Sequence, residues 1–125
     1  MMEKFKTAII DIGSNTIRLV LYEYDPNQGL YEFGNFKTVA RLRTYILPNG
    51  KMSDEGIEVL ANTLISFKEI IDDYGVTDIN AAATAAIRQA KNQSKIIDKM
   101  FELTGIKLHV LSEEEEAYFG FVAVA

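Results

Sequence analysis

TAIIDIGSNTIRLVLYEY, residues 7–24, is the stretch that decides the fold of this chain. Residues 7–10 predict a strand that is buried on both faces, and residues 17–24 predict a second strand. Between the two strands, residues 11–16 run from an aspartate through a glycine to small hydroxyl and amide side chains. The stretch therefore predicts a strand, a tight loop and a strand that returns.

The loop between these strands has residue types that bind phosphate. Gly13 lacks a Cβ, so a ligand can approach the backbone closely. Successive backbone N–H groups, with the side chains of Ser14 and Asn15, can surround an anion, and Asp11 can hold a metal ion directly or through water. The alternative is a tight hairpin in which Asp11 and Asn15 only cap backbone N–H groups. The residues alone leave both interpretations open.

Composition limits the classes of function. The 125 residues are one domain's worth of chain, or part of a larger domain, with 48% hydrophobic and 25% charged residues. No apolar run reaches the roughly 20 residues of a membrane span, and the N-terminus lacks the pattern of a signal peptide. The absence of cysteine excludes disulfides, thiolate catalysis and cysteine-based zinc sites. A reducing cytoplasm is the compartment we expect.

The net charge is −5, which does not favour nucleic-acid binding through a basic surface. An anionic substrate is still compatible with this charge, because a local site can be built from backbone amides, one or two arginines and a divalent cation.

Apolar periodicity along the rest of the chain predicts the element order β-β-β-α-β-α-β-α. The predicted third strand is residues 30–47, with a bulge or break at Gly34-Asn35. The later elements are helices over residues 53–74, 84–103 and 112–125, the second interrupted near residue 92, and strands over residues 76–83 and 106–111. Three antiparallel strands followed by parallel strand–helix units predict an α/β, ribonuclease H-like fold: a five-stranded mixed sheet in order 3-2-1-4-5 with flanking helices.

Particular residues mark the ends of the first predicted helix. Ser53 is the expected N-cap, with acids in the first turn, and Gly75 is the expected C′ residue. The apolar positions from Ile57 to Tyr74 recur at helical spacing, so we expect that face to pack on the sheet.

A second candidate site follows the small residues Ala81-Ala82-Ala83, where a helix containing Arg88 begins. Ligands of α/β sheets bind in crevices outside the carboxyl ends of the strands, and small residues there allow close approach. The guanidinium of Arg88 offers a fork of donors that suits two phosphate oxygens. The alternative is a surface arginine in a stripe with Lys91, Lys95 and Lys99. We favour phosphate binding for Arg88 and the surface interpretation for the lysines.

A third candidate site is the acidic run of residues 113–116. Ser112 as the N-cap and Glu115 as its capping-box partner explain most of the run. Glu116 differs, because it shares a helical strip with the small residues Gly120 and Ala123.

We expect the next residues of this helix, Ala117, Phe121 and Val124, to face the core beside Glu116. A carboxylate partly enclosed at the edge of a cleft can act as general base for a water nucleophile. His109, in the fifth predicted strand, is interpreted as a packing or edge residue.

Together the three motifs resemble the exopolyphosphatase/guanosine pentaphosphate phosphohydrolase (Ppx/GppA) family of the actin-like ATPase superfamily, in order and over essentially the whole chain. The family's first phosphate loop with its flanking strands is similar to AIIDIGSNTIRLVLYE. Its phosphate-binding arginine motif is similar to ATAAIRQAKN, and its Glu-Glu-Ala helix to LSEEEEAYFGFVAV.

This resemblance implies a role for each candidate residue. Glu116 matches the catalytic glutamate that activates water, Arg88 the arginine that binds the substrate phosphate, and Asp11 the ligand of a Mg²⁺ cofactor. The residues that match the phosphate loop are Gly13, Ser14, Asn15 and Thr16. Tyr118 departs from the family, in which many relatives carry arginine after Glu-Glu-Ala.

The resemblance implies that residues 1–125 are the N-terminal ribonuclease H-like lobe of a Mg²⁺-dependent phosphohydrolase. The enzyme would release terminal phosphate from inorganic polyphosphate, guanosine pentaphosphate (pppGpp) or both. The family's second phosphate loop is missing here, so we expect the C-terminal half of the same protein to be a partner and the isolated chain to have little or no activity. We expect neither nucleic acid nor a membrane as a partner, and a homodimer is an open alternative. The expected location is the cytoplasm, and the expected process is the bacterial stringent response.

Two alternatives remain at this stage. A sugar kinase or chaperone-type ATPase of the same superfamily also begins with an Asp-Gly loop, but the motifs of Arg88 and Glu116 argue against it. A non-hydrolytic binding module for guanosine tetraphosphate, pppGpp or polyphosphate would not need Glu116.

Overall fold

The structure, a computed structural model, describes the backbone of residues 4–124 and the side chains of residues 4–118. Its elements are β1 (Phe5–Ile12), β2 (Ile17–Asp25), β3 (Gly29–Thr38), a 3-10 helix (Leu42–Tyr45), α1 (Asp54–Asp73), β4 (Asp78–Ala83), α2 (Ala85–Gln89), α3 (Gln93–Thr104), β5 (Leu108–Val110) and α4 (Glu113–Val124). The last residue of the predicted third helix, 125, lies outside the described residues.

The five strands form one sheet in the order β3-β2-β1-β4-β5, as predicted. β1 pairs antiparallel with β2, and β2 with β3. β1 and β4 pair in parallel, as do β4 and β5. The carboxyl ends of β1, β4 and β5 therefore lie along one edge of the sheet, which we call the carboxyl edge.

Alternation along the strands separates a core face from an open face. Ile10 and Ile12 in β1 and Leu19 in β2 are buried on the core face, where α1 and α3 also bury their apolar sides. The largest fully buried side chains are Ile10, Ile12, Ile17, Leu19, Leu21, Leu42, Leu60, Leu64, Ile71, Ile87, Ile96 and Met100. Asp11 lies between two buried neighbours in β1 and so belongs to the open face.

The prediction for residues 30–47 was wrong at its end. β3 stops at Thr38, and the chain continues into the 3-10 helix instead of extending the strand. Arg41 adopts a left-handed conformation, with φ 53° and ψ 49°, which turns the chain, and Leu42 is completely buried just after it. The predicted bulge is present: β2 changes register between Leu21 and Tyr22, so one extra residue of β3, next to Gly34, has no partner.

The ends of α1 are confirmed. The Ser53 hydroxyl oxygen accepts a hydrogen bond of 3.1 Å from the N–H of Gly56, and Gly75 has a φ of +70°. Tyr74, expected on the packed face, is instead the C-cap and is 45% exposed.

The first two strands are longer than predicted, whereas β4 and β5 are shorter. Val76 and Ile106 are buried but precede the paired parts of β4 and β5. The second predicted helix is interrupted at residues 90–92, which separate α2 from α3. Within the described part of the chain, no helix has the length and apolar character that crossing a membrane requires.

Candidate active site

Hydrogen bonds join the three motifs at the carboxyl edge. Thr84, which precedes α2, donates to the Ile12 carbonyl from both its N–H (3.0 Å) and its hydroxyl (3.2 Å). Leu111, which precedes α4, donates its N–H to the Ala83 carbonyl at 2.9 Å. The structure therefore places the loop after β1 beside the starts of α2 and α4, as the parallel pairing of the strands requires.

The loop of residues 13–16 is a tight turn with unused backbone donors. The N–H of Gly13 donates to the Thr16 carbonyl at 2.9 Å, and a Cβ on Gly13 would lie 3.0 Å from that same oxygen. Among residues 4–124, no group accepts a hydrogen bond from the N–H of Ser14, Asn15 or Thr16. Donors left unsatisfied in a turn are the groups that bind an anion, so the geometry fits the phosphate loop better than a simple hairpin.

Asp11 is the second-last residue of β1, and its carboxylate lies on the open face of the sheet. Partial burial and the negative charge of Glu116 raise the pKa of Asp11, while Arg18 opposes that change. Arg18 is the cross-strand neighbour of Asp11, and its guanidinium donates to the Asn35 side chain at 2.8 Å. Asp11 and Glu116, from opposite ends of the chain, are therefore close enough for their charges to interact.

Arg88 and Glu116 form an ion pair across the carboxyl edge. One terminal nitrogen of Arg88, Nη1, donates to the Glu116 carboxylate at 2.9 Å and to the Leu111 carbonyl at 3.0 Å. The Arg88 side chain is 19% exposed and that of Glu116 is 42% exposed. Sequence analysis selected both residues, and the structure brings them together although 28 positions separate them.

Glu115, one of the other acids at the start of α4, has the predicted capping role. Glu115 and Ser112 form the reciprocal capping box, with bonds of 3.0 and 3.1 Å. The Ser112 N–H is the main reason that the pKa of Glu115 is lowered, and His109 lies 3.6 Å away at the exposed edge. One expectation was wrong: Ala117 is exposed and does not face the core, because this turn of α4 lies beyond the end of β5.

The other neighbours that were expected beside Glu116 have side chains outside the described residues. They are Gly120, Phe121, Ala123 and Val124.

Sequence reasoning missed three arginines near the loop. Arg18 could have been found from the strand register, which sets it opposite Asp11. Arg41 and Arg43 follow β3, and their backbone N–H groups donate to the carbonyls of Asn15 and Ser14. No local pattern in the sequence signals those contacts, because they join segments more than twenty residues apart in the chain.

Known proteins are similar to this chain in sequence and in fold. A profile of the Ppx/GppA phosphatase family matches residues 22–125. Exopolyphosphatase 1 of Mycobacterium tuberculosis is 28% identical over 119 residues, which cover 95% of this chain and 35% of that protein. The guanosine-5'-triphosphate,3'-diphosphate pyrophosphatase of Aliivibrio fischeri is 28% identical over 118 residues, which cover 94% of this chain and 24% of that protein.

A solved structure has the same architecture. The crystal structure of the Ppx/GppA family member from Aquifex aeolicus matches with a TM-score of 0.88 and 28% identity, over 98% of this chain and 40% of that one. The present chain thus spans about a third or less of the length of the two relatives named above, at 35% and 24%.

Proposed function

Since the chain belongs to the Ppx/GppA phosphatase family, we propose that it is the N-terminal lobe of a phosphohydrolase. The substrate class is terminal phosphoanhydrides, as in inorganic polyphosphate or pppGpp. The observation that carries the proposal is the Arg88–Glu116 ion pair, which lies at the same edge of the sheet as a loop with free N–H groups.

Each group in the proposed site has a chemical task. The N–H groups of Asn15 and Thr16, with Gly13 and Ser14 shaping the loop, bind oxygens of the terminal phosphate. The guanidinium of Arg88 contributes positive charge. Those of its N–H groups that do not bind Glu116 or Leu111 donate to the same phosphate. Glu116 accepts a proton from the attacking water, so that catalysis comes from positioning and charge stabilisation.

Mg²⁺ is the cofactor that we propose for this site. Among the described residues, no group of three or more acidic, histidine or cysteine side chains could hold a metal ion. A single carboxylate such as that of Asp11 fits Mg²⁺, which is usually held by one or two carboxylates together with water and substrate phosphates. Asp11 would hold the ion; partial burial and the negative charge of Glu116 raise the pKa of Asp11 in spite of Arg18, and a cation bound there would favour the ionised carboxylate. When bound, Mg²⁺ supplies positive charge for the phosphate oxygens.

The remaining part of the proposal concerns the complete protein. Because the chain covers only 35% of an exopolyphosphatase relative, we propose that the C-terminal part of the same protein closes the site. The choice between polyphosphate and pppGpp depends on that part. A cytoplasmic location, a link to the stringent response and a homodimer stay predictions from the sequence.

Hydrolysis is favoured over a module that only binds phosphate. A binding site needs the loop and Arg88 but gains nothing from a carboxylate at the phosphate, because Glu116 would repel the ligand. The presence of the Glu116 carboxylate next to Arg88 therefore supports hydrolysis of the bound phosphate compound. The family membership likewise argues against a kinase or a chaperone-type ATPase.

Phosphate release by the complete protein tests this proposal. Polyphosphate and pppGpp are offered with and without Mg²⁺, and wild type is compared with Glu116→Gln. We expect the variant to lose about 10²–10⁴-fold in rate, the usual contribution of a general base, and to keep substrate binding.

Glu114→Gln is the matched control, because it makes the same change of charge at an exposed position two residues away in the same helix. Full activity in Glu116→Gln, or no release from either substrate by wild type, would contradict the proposal. Tight binding without release would favour the binding module instead.

A further inference from the structure

Arg41 has a backbone conformation that side chains with a Cβ rarely adopt. It is the one non-glycine residue with positive φ in the described part of the chain. Left-handed backbone is disfavoured for such residues because the Cβ approaches the following carbonyl oxygen. A strained residue of this kind persists only where its surroundings determine it, and such residues occur mainly at functional sites.

The surroundings of Arg41 are a set of backbone hydrogen bonds to the phosphate loop. Its N–H donates to the Asn15 carbonyl at 2.9 Å, and the N–H of Arg43 donates to the Ser14 carbonyl at 3.0 Å. The Arg41 carbonyl in turn accepts from the N–H and hydroxyl of Thr44, at 3.0 and 2.7 Å. We call residues 41–44 the brace.

The brace resembles an anion-binding nest in which carbonyl oxygens of the loop take the place of the anion. A left-handed residue followed by right-handed ones makes successive N–H groups converge on one point. Leu42, between the two donors, is fully buried and anchors the brace in the core. The converging N–H groups therefore hold two carbonyls of the loop from a fixed position.

Fixing these carbonyls also fixes the direction of the N–H groups. In a trans peptide, the C=O and N–H of one unit point in opposite directions, and the chain contains no cis peptide among the described residues. The peptide that joins Ser14 to Asn15 directs its oxygen at Arg43, so the Asn15 N–H points away from the brace. The next peptide does the same with the Thr16 N–H.

We propose that Arg41 is a positioning residue, whose left-handed backbone aims the N–H groups of Asn15 and Thr16 at the bound anion. This inference rests on the proposed function for one point, that the anion is a phosphate group. The exposed Arg41 side chain forms no hydrogen bond or ion pair with the described residues, so it is the backbone of Arg41 that holds the loop. The alternative is that this guanidinium itself binds phosphate.

Substitutions at Arg41 separate backbone from side chain. Glycine adopts positive φ freely, lysine keeps the charge, and valine disfavours the left-handed conformation most. If the backbone conformation of Arg41 is what matters, Arg41→Gly retains anion binding and Arg41→Val loses it. If the guanidinium is what matters, Arg41→Lys binds the anion most tightly of the three variants, and Arg41→Gly binds it as weakly as Arg41→Val.

NMR of the ¹⁵N-labelled 125-residue chain measures both parts of the inference, with inorganic triphosphate as the probe. For Arg41→Val we expect about tenfold faster exchange of the Arg43 amide and about tenfold weaker binding of triphosphate, read at the Asn15 and Thr16 amides. Arg41→Gly should bind triphosphate within about twofold of wild type. The melting temperature of each variant shows whether its fold is intact.

The outcomes distinguish this inference from the proposed function. Arg41→Gly binding about tenfold more weakly than Arg41→Lys, with both folded, would overturn the backbone role. An Arg43 amide that exchanges equally slowly in Arg41→Val would overturn the brace, whatever ligand the loop binds. If triphosphate shifts no loop amide in the wild-type chain, the ligand named here is overturned, whereas the proposed function is decided separately by phosphate release from the complete protein.

Discussion

At the scale of single residues, Arg88 uses one nitrogen for two acceptors. Its Nη1 holds the Leu111 carbonyl and the Glu116 carboxylate, which leaves its other N–H groups for substrate. A lysine has a single nitrogen without the planar fork, so it cannot hold both acceptors and also offer a pair of donors to phosphate.

We therefore expect Arg88→Lys in the complete protein to lower kcat/KM at least about tenfold, because hydrogen bonds to charged groups contribute roughly 1.5–3 kcal/mol. Steady-state phosphate release measures the change. Lys99→Arg, on the exposed side of α3, is the control and should have no effect. Unchanged kcat/KM in Arg88→Lys would show that only the positive charge matters there.

Gly56 is a second residue whose role is set by its neighbours. It is buried in the first turn of α1, where an added Cβ would collide with the Cβ of Tyr45 and lie 2.9 Å from the Cγ of Met52. Alanine usually improves a helix by about 1 kcal/mol over glycine. Here overpacking, which costs about 1–3 kcal/mol, should outweigh that gain.

Gly56→Ala should thus lower the free energy of unfolding, measured from urea denaturation. Asn62→Ala, at an exposed position of the same helix, is the matched control and should raise it slightly because of helix propensity alone. A stabilised Gly56→Ala would mean that the 3-10 helix can move away from α1.

At the scale of elements, the turn between β2 and β3 depends on an ionised aspartate. Asp25 is 6% exposed, accepts the Asn27 N–H at 2.8 Å and lies 3.4 Å from the Lys4 ammonium. The Asn27 N–H, and to a lesser extent Lys4, lower the pKa of Asp25 below its ordinary value of 3.8. Folding therefore favours the ionised form, so this stabilisation is present above pH 3.8 and is lost as the pH falls through the lowered pKa.

Asp25→Ala should have a lower melting temperature than wild type at pH 7, and the difference should shrink as the pH falls below 3.8. Thermal melts of both proteins across that range measure it. Asp25→Asn keeps an acceptor for Asn27 without the charge, so it should lie between the two. A difference independent of pH would exclude the ionised carboxylate as the cause.

Helices were predicted better than the chain after β3. Ser53, Gly75 and the Ser112–Glu115 capping box are short-range signals, and all of them have the expected geometry. The residues after Thr38 are also apolar enough for a strand. They turn away because the loop of residues 13–16 and the core provide partners for Arg41 and Leu42, and such long-range contacts leave no local pattern.

At the scale of the whole molecule, the sense of each strand was predictable from its connections, and the order of the strands followed from the ribonuclease H-like fold that they indicated. Two short turns give antiparallel pairs, and strand–helix–strand connections give parallel ones. That topology places the starts of α2 and α4 side by side. Arg88 and Glu116, which only the family resemblance had joined in one site, form an ion pair there. The individual hydrogen bonds of that site could not be predicted, since they depend on side-chain rotamers.

The same topology places the candidate site at the carboxyl edge of the sheet, which the C-terminal part of the protein is proposed to close. We expect the 125-residue chain to bind inorganic triphosphate weakly and to release no measurable phosphate from it, whereas the complete protein turns substrate over. Titration calorimetry and a phosphate-release assay on both proteins test this. Release by the short chain at a rate near that of the complete protein would show that one lobe suffices.

The turn at residues 25–29 offers a practical consequence. It lies at the end of the sheet opposite the loop of residues 13–16, about 30 Å away along β2 at roughly 3.4 Å per residue. Gln28 in this turn is exposed, and the chain has no cysteine. Gln28→Cys would therefore give the 125-residue chain a single attachment point for a fluorescent dye, far enough from the site to report on tumbling and assembly without competing with a ligand.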